Sequence, residues 1–69
     1  MNAEERLLAF IREHVAAKGY GPTLREMAAA MGWASTNGVR FWLTKLVERG
    51  AVEVDHRVAR GVRVTAKEG

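Results

Sequence analysis

The hydrophobic rhythm of this chain changes once, at Gly50, and that change restricts the fold more than any other feature. Before it, apolar residues recur every three to four positions. After it, "AVEVD" and "GVRVT" alternate apolar with polar, so Val52 pairs in direction with Val54, and Val62 with Val64. The first pattern belongs to amphipathic helices, the second to half-buried strands. The connector "HRVAR" is short enough for a hairpin, which makes Glu53 and Arg63 a candidate cross-strand pair on its outer face. A chain of 69 residues has room for one domain, 1–69, with a small core. The expected class is α+β, helices first and a two-stranded hairpin last.

Glycines divide the helical part. A first helix is predicted from about Ala3 to Lys18, opened by a capping box of Asn2 and Glu5 and closed by Gly19. Leu7, Leu8, Ile11 and Val15 form its stripe, with Phe10 on the flank. Thr23 and Glu26 form a second capping box, followed by Leu24, Met27, Ala28 and Met31 before Gly32. Three residues, "GWA", then lead to Ser35, which is a good N-cap for a third helix ending at about Arg49.

Several functions lose support at this point. Without cysteine there is neither a disulfide scaffold nor thiol chemistry. The opening "MNAEERLLAF" is not a signal peptide, and "MAAAMGWA" falls far short of the roughly 20 apolar residues of a membrane span. A soluble cytoplasmic domain is expected. The two histidines, His14 at the edge of the core and His56 in the hairpin, lie far apart in this layout. No metal-ligand spacing, nucleophile–base pair or phosphate-binding glycine loop is present, so no catalysis, metal or cofactor is expected.

Charge points elsewhere. The formal net charge is +3, and the whole excess lies in residues 35–69, with no acid between His56 and Arg63. Such a stretch suits a polyanionic partner, although charge serving only solubility would look alike.

Two helices joined by a short glycine-containing turn make a helix-turn-helix pattern, and a basic hairpin directly after it makes a winged helix-turn-helix. On the third helix, Val39, Leu43 and Leu46 define the core face, with Val47 and Trp42 on its shoulders. Asn37, Phe41, Lys45 and Glu48 lie opposite, flanked by Gly38 and Thr44, with Arg40 at the border. Trp42 therefore belongs to the core margin, whereas Phe41 points away from it. An exposed phenylalanine can be incidental, or it can touch a thymine methyl in the major groove. Arg40 or Lys45 can reach guanine, and Asn37 can bind adenine or a phosphate; Arg40 is equally a candidate phosphate clamp. Thr23, Ser35 and Thr36 can hold phosphates at helix starts or serve as caps alone. Arg25 opposes the dipole of its helix, which a nearby phosphate would relieve. Arg57 and Arg60 lie in the wing, at the DNA backbone or in a solvated loop.

These pieces together resemble the DNA-binding domain of the LexA repressor family. The similarity runs through "FIREHVAAKGYGPTLREMAAAMGWASTNGV", "LVERGAVEV" and "ARGVRV". Its most telling parts are Gly-x-x-Pro-Thr from Gly19 to Thr23, Ser-x-Asn from Ser35, and the Arg-Gly pair entering the last strand. The resemblance implies sequence-specific binding of double-stranded DNA and transcriptional repression at palindromic operators; a module this small buries limited surface, so either it forms a homodimer on DNA or its affinity is modest. The family's protease and dimerisation domain, with its Ser-Lys self-cleavage centre, has no counterpart in these 69 residues. Where LexA-like proteins tend to place acids, this chain has Arg40 and Phe41, so a different operator is expected. The rival reading is a winged helix reused to bind a protein, with Phe41 and Val58 as apolar anchors.

Overall fold

The computed structural model describes residues 2–65. Met1 and residues 66–69, with Lys67, Glu68 and both ends of the expected 1–69 domain, lie outside the described residues. The order is α1 (Ala3–Lys18), α2 (Leu24–Met31), α3 (Asn37–Arg49), β1 (Val52–Val54) and β2 (Val62–Val64). The strands form an antiparallel pair with Val52 opposite Val64, Glu53 opposite Arg63 and Val54 opposite Val62.

Local chemistry sets most of the boundaries. The Asn2 side chain accepts the backbone N–H of Glu5 at the start of α1. Only this half of the expected capping box is seen, because the Glu5 carboxylate instead accepts a bond from Arg49 at 2.6 Å. At α2 the box is complete: Thr23 Oγ1 accepts from the Glu26 amide at 3.1 Å, and Glu26 Oε1 accepts from the Thr23 amide at 2.8 Å. These bonds satisfy amides that a helix start otherwise leaves unpaired. The start of α3 departs from expectation. Thr36, not Ser35, occupies the cap position, in helical backbone conformation and without a side-chain cap bond. Ser35 Oγ accepts from the Asn37 amide at 3.3 Å, a side-chain turn one residue ahead of the helix.

One core joins all five elements. Leu7, Leu8 and Ile11 of α1 meet Met27, Ala28 and Met31 of α2 and Val39, Leu43 and Leu46 of α3, closed by Ala51, Val52 and Val62. Trp42 packs half-buried at its margin, as the helical projection requires. Val47, expected at the shoulder, is exposed instead: it borders a cleft beneath the wing. The turn from α3 into β1 is made by Gly50 at φ 84°, a conformation that costs other residues a Cβ clash. Thr65 then returns to this corner, its amide bonded to the Ala51 carbonyl at 3.1 Å and its hydroxyl to that of Gly50. Across the strands, Arg63 donates to Glu53 at 3.0 Å, the anticipated outer-face pair.

A second tie fixes α3 against α1. Arg49 at the end of α3 donates to Glu4 at 2.7 Å and to Glu5 at 2.6 Å. Two acids in the first turn of α1 suit that helix's dipole, and a cation in the last turn of α3 suits the other.

Candidate nucleic-acid interface

The surface of α3 away from the core consists of two parallel stripes. Residues four apart on a helix lie one above the other. Asn37, Phe41 and Lys45 therefore form one stripe, all exposed, with exposed Glu48 three positions past Lys45 on the same face; Arg40 and Thr44 form another beside it, joined by Val47 three positions on. The second stripe borders a cleft of about 660 Å³ between α3 and the wing. Arg40, Thr44 and Val47 line one wall, His56, Arg57 and Val58 the other, with Leu24 and Met27 from α2. The first stripe projects beyond it.

Phe41 is 55% exposed. Its ring stands nearly perpendicular to the Trp42 indole, with centroids 5.0 Å apart, and the Lys45 ammonium lies 5.4 Å from its centroid over the face. Neither contact removes Phe41 from solvent. Thr44 donates its hydroxyl to the Arg40 carbonyl at 2.9 Å, a common use of threonine inside a helix. Among the described residues, Arg25, Arg40 and Lys45 have no carboxylate within ion-pair distance. Arg25 stands exposed in the first turn of α2.

The turn between α2 and α3 has its own packing requirement. Trp33 folds over Gly38, and a Cβ on Gly38 would lie 3.1 Å from the indole Cε3. Gly38, a candidate DNA-contacting residue at the flank of the outer face of α3, is small for a packing reason: the indole needs the room. Ser35 and Thr36 sit at the same corner, the first exposed and the second half-buried.

The two wing arginines behave differently from one another. Arg57 is 89% exposed and makes a two-pronged bond to Asp55, with Nε to Oδ1 at 3.0 Å and Nη2 to Oδ2 at 3.1 Å. This bond holds the Asp55 carboxyl below its ordinary range. Arg60 turns inward. It donates Nη1 to Glu26 Oε1 at 2.8 Å, Nη2 to Glu26 Oε2 at 3.2 Å and Nη1 to the Gly21 carbonyl at 3.2 Å. Its guanidinium also lies over the Tyr20 ring, 4.7 Å from the centroid. Arg60, expected on equal terms with Arg57, is in this geometry a clasp between the wing and the start of α2.

That clasp gathers residues whose importance the sequence did not reveal. Glu26 caps α2 and grips Arg60 with the same carboxylate, and the Arg60 bond, aided by the Thr23 amide, holds its pKa down at about 2. His14, whose side chain is only 10% exposed, bonds the Tyr20 carbonyl through Nδ1 at 3.0 Å and places Nε2 3.8 Å from Glu26. Gly21 lets the loop pass β2 at a distance that any Cβ would prevent, since it would strike the Val62 carbonyl. Thirty-four residues separate Glu26 from Arg60, so no local pattern signals the pairing.

No helix among the described residues is long and apolar enough to cross a membrane, and no cluster of three or more potential metal ligands occurs among them. Three helices, with a tight turn between the second and third and a basic hairpin behind, define the class: a winged helix-turn-helix. The profile of the LexA DNA binding domain matches residues 2–61, and the chain belongs to that family. It is 37% identical over 65 residues to the LexA repressor of Hahella chejuensis, covering 94% of this chain and 32% of that protein. With the LexA repressor of Corynebacterium jeikeium it shares 39% identity over 66 residues, 96% of this chain and 25% of the relative. With LexA repressor 2 of Pseudomonas syringae pv. tomato it shares 39% over 62 residues, 90% of this chain and 31% of the relative. The chain thus spans about a third or less of the length of these relatives.

Proposed function

We propose that this domain binds double-stranded DNA in a sequence-specific manner and represses transcription inside the cell, without a catalytic step of its own. The observation that carries this reading is the division of labour on α3: a projecting stripe of Asn37, Phe41 and Lys45 beside a cleft-lining stripe that faces a cationic wing. The projecting stripe reads base edges, with Asn37 suited to adenine and Lys45 to guanine. The DNA backbone follows the cleft, held by Arg40, Thr44 and Arg57, while Arg25 and the amides at the starts of α2 and α3, near Thr23, Ser35, Thr36 and Gly38, take a neighbouring phosphate. Arg60 serves by fixing the wing. Arg25, in the first turn of α2, has no carboxylate within ion-pair distance among the described residues, which leaves its charge for a phosphate.

A domain of this size buries little surface on DNA, which favours two copies on a palindromic site. Selection from random duplex DNA at two salt concentrations tests the reading. The expected outcome is an enriched inverted repeat whose affinity falls steeply with salt. The rival, a protein-binding module anchored by Phe41 and Val58, draws on the exposure of both side chains. Against it, Val58 lines the cleft and Phe41 does not, so the two fail to form one apolar patch. No enriched motif, together with flat salt dependence, would favour that rival.

A further inference from the structure

We propose that Phe41 and Lys45 form a single reading unit for a 5-methylpyrimidine next to a guanine, so that 5-methylcytosine substitutes for thymine at that position. The inference rests on the DNA-binding reading above and specifies what the projecting stripe recognises.

Three observations carry it. Phe41 is a large apolar side chain left more than half exposed, on the side of α3 away from the core. Its orientation is nevertheless set from below: it stands at 86° to Trp42, which is itself packed against the core. An exposed ring with a supported orientation meets a partner at a lower entropic cost than a free one. Above the ring lies Lys45, a cation with no carboxylate partner among the described residues.

The chemistry of the major groove narrows what such a pair can meet. Base edges there are almost wholly polar, and the one apolar projection on an unmodified pair is the C5 methyl of thymine. A phenyl ring can neither donate nor accept a conventional hydrogen bond at those edges, so the methyl is the feature it can bury favourably. An ammonium carries three donors and no acceptor, and the strongest acceptor pair in the groove is O6 and N7 of guanine. Spacing then links the two. The Lys45 nitrogen is 5.4 Å from the Phe41 centroid. Successive bases on a strand rise by about 3.4 Å. Two groups this close fall on one base step, not on separate parts of the site.

Neither side chain distinguishes the groups at C4 of the pyrimidine. A methyl on cytosine C5 occupies the same ring position as that of thymine, so both satisfy the ring. Unmethylated cytosine and uracil do not. Cytosine methylation at this step therefore strengthens binding where the operator carries cytosine.

The test uses the duplex enriched by selection, with base replacements in the DNA (cytosine and 5-methylcytosine set opposite guanine) and paired variants of the protein. Affinity is read by fluorescence anisotropy. Replacing the critical thymine with deoxyuridine should weaken wild-type binding about four-fold, the equivalent of one buried methyl group. Cytosine there should restore nothing, and 5-methylcytosine should restore most of the loss. Phe41→Ala should lose all sensitivity to the methyl, while Phe41→Leu, which keeps apolar surface, should retain part of it. A 7-deazaguanine at the adjacent base should weaken the wild type but not Lys45→Met. Thermal melting of each variant shows that the fold is kept.

Specific binding that ignores uracil at every thymine would overturn the inference and leave the DNA reading intact. So would a uracil effect that persists undiminished in Phe41→Ala. Absence of salt-dependent binding to any duplex would overturn the DNA reading itself, and the inference with it.

Discussion

At the wing, Arg57 and Arg60 each hold a carboxylate, whereas on α3 Arg40 and Lys45 hold none among the described residues. Both regions are basic and both are exposed at the surface, yet their cations do different things. Arg60 bridges the wing to α2 through a two-pronged bond and a ring contact, a geometry that specifies position more than it adds strength. Arg40 and Lys45 leave their donors to solvent, available for an incoming anion or base edge. Arg57 is intermediate: paired with Asp55, but two residues away and almost fully exposed, so the pair opens at little cost. Charge alone therefore does not mark a binding residue in this molecule. The partner that a cation already holds does.

The largest effect is expected where the two regions share support. Leu46 is fully buried beneath α3 and beside the strands. Leu46→Ala is expected to destabilise the fold by about 2–5 kcal/mol, seen as a lower midpoint in thermal or urea unfolding. Loss of binding should then follow loss of fold. A more selective change falls on the projecting stripe. Phe41→Ala should cost about 1–3 kcal/mol of specific binding while leaving non-specific binding and melting nearly unchanged. Equal loss on specific and random duplexes would remove Phe41 from base reading.

Salt dependence separates free arginines from paired ones. Arg40→Ala should lower the slope of log K against log salt by about 1, as when one fewer phosphate is neutralised. Arg60→Ala should leave that slope nearly unchanged and instead make the wing more open to limited proteolysis. A slope that falls equally in both variants would return Arg60 to the DNA backbone.

Acid should loosen the clasp. Glu26 has its pKa lowered from the ordinary 4.5 to about 2 by Arg60 and the Thr23 amide. A carboxylate lowered in this way favours folding fully above about pH 4.5, and the contribution is lost as the pH falls through about 2. Melting of the wild type should therefore fall across this window more steeply than that of Glu26→Gln, the two being measured at several pH values. Parallel curves would show that the clasp contributes nothing. The smallest effect is expected at the strand pair, where Arg63→Ala removes an exposed ion pair worth about 0–1 kcal/mol.

Much of this was legible along the chain. The change of period at Gly50 located the hairpin, the alternation gave its two faces, and the candidate pair is met, since Glu53 does face Arg63. The glycine stops and the Thr23–Glu26 box set the helices for the same reason: caps and periodicity are local, acting over three or four residues. Helical projection alone put Trp42 against the core and Phe41 outside it, because burial on a helix follows angle. Where a boundary depended on a neighbour, the local rule failed. Ser35 has the chemistry of an N-cap, but Trp33 packing over Gly38 shapes the turn, and the helix begins beyond Thr36. Glu5 can close a capping box, but Arg49 lies closer to hand. Val47 fits a core shoulder by angle, but the wing leaves a cleft there.

The candidate interface divides along the same line. Its residue types could be named from sequence, since an exposed helix face needs only the helix. What each cation faces could not, because Arg60 meets Glu26 across 34 residues and Arg49 meets Glu4 across 45. Interactions within a few residues dictate the elements, their order, the buried stripes and the outward direction of Phe41, and these are written in the chain. Which arginines are held and which are free is a property of the assembled fold. Ion pairing depends on distances in space, and folding alone brings residues so far apart in the chain within 3 Å.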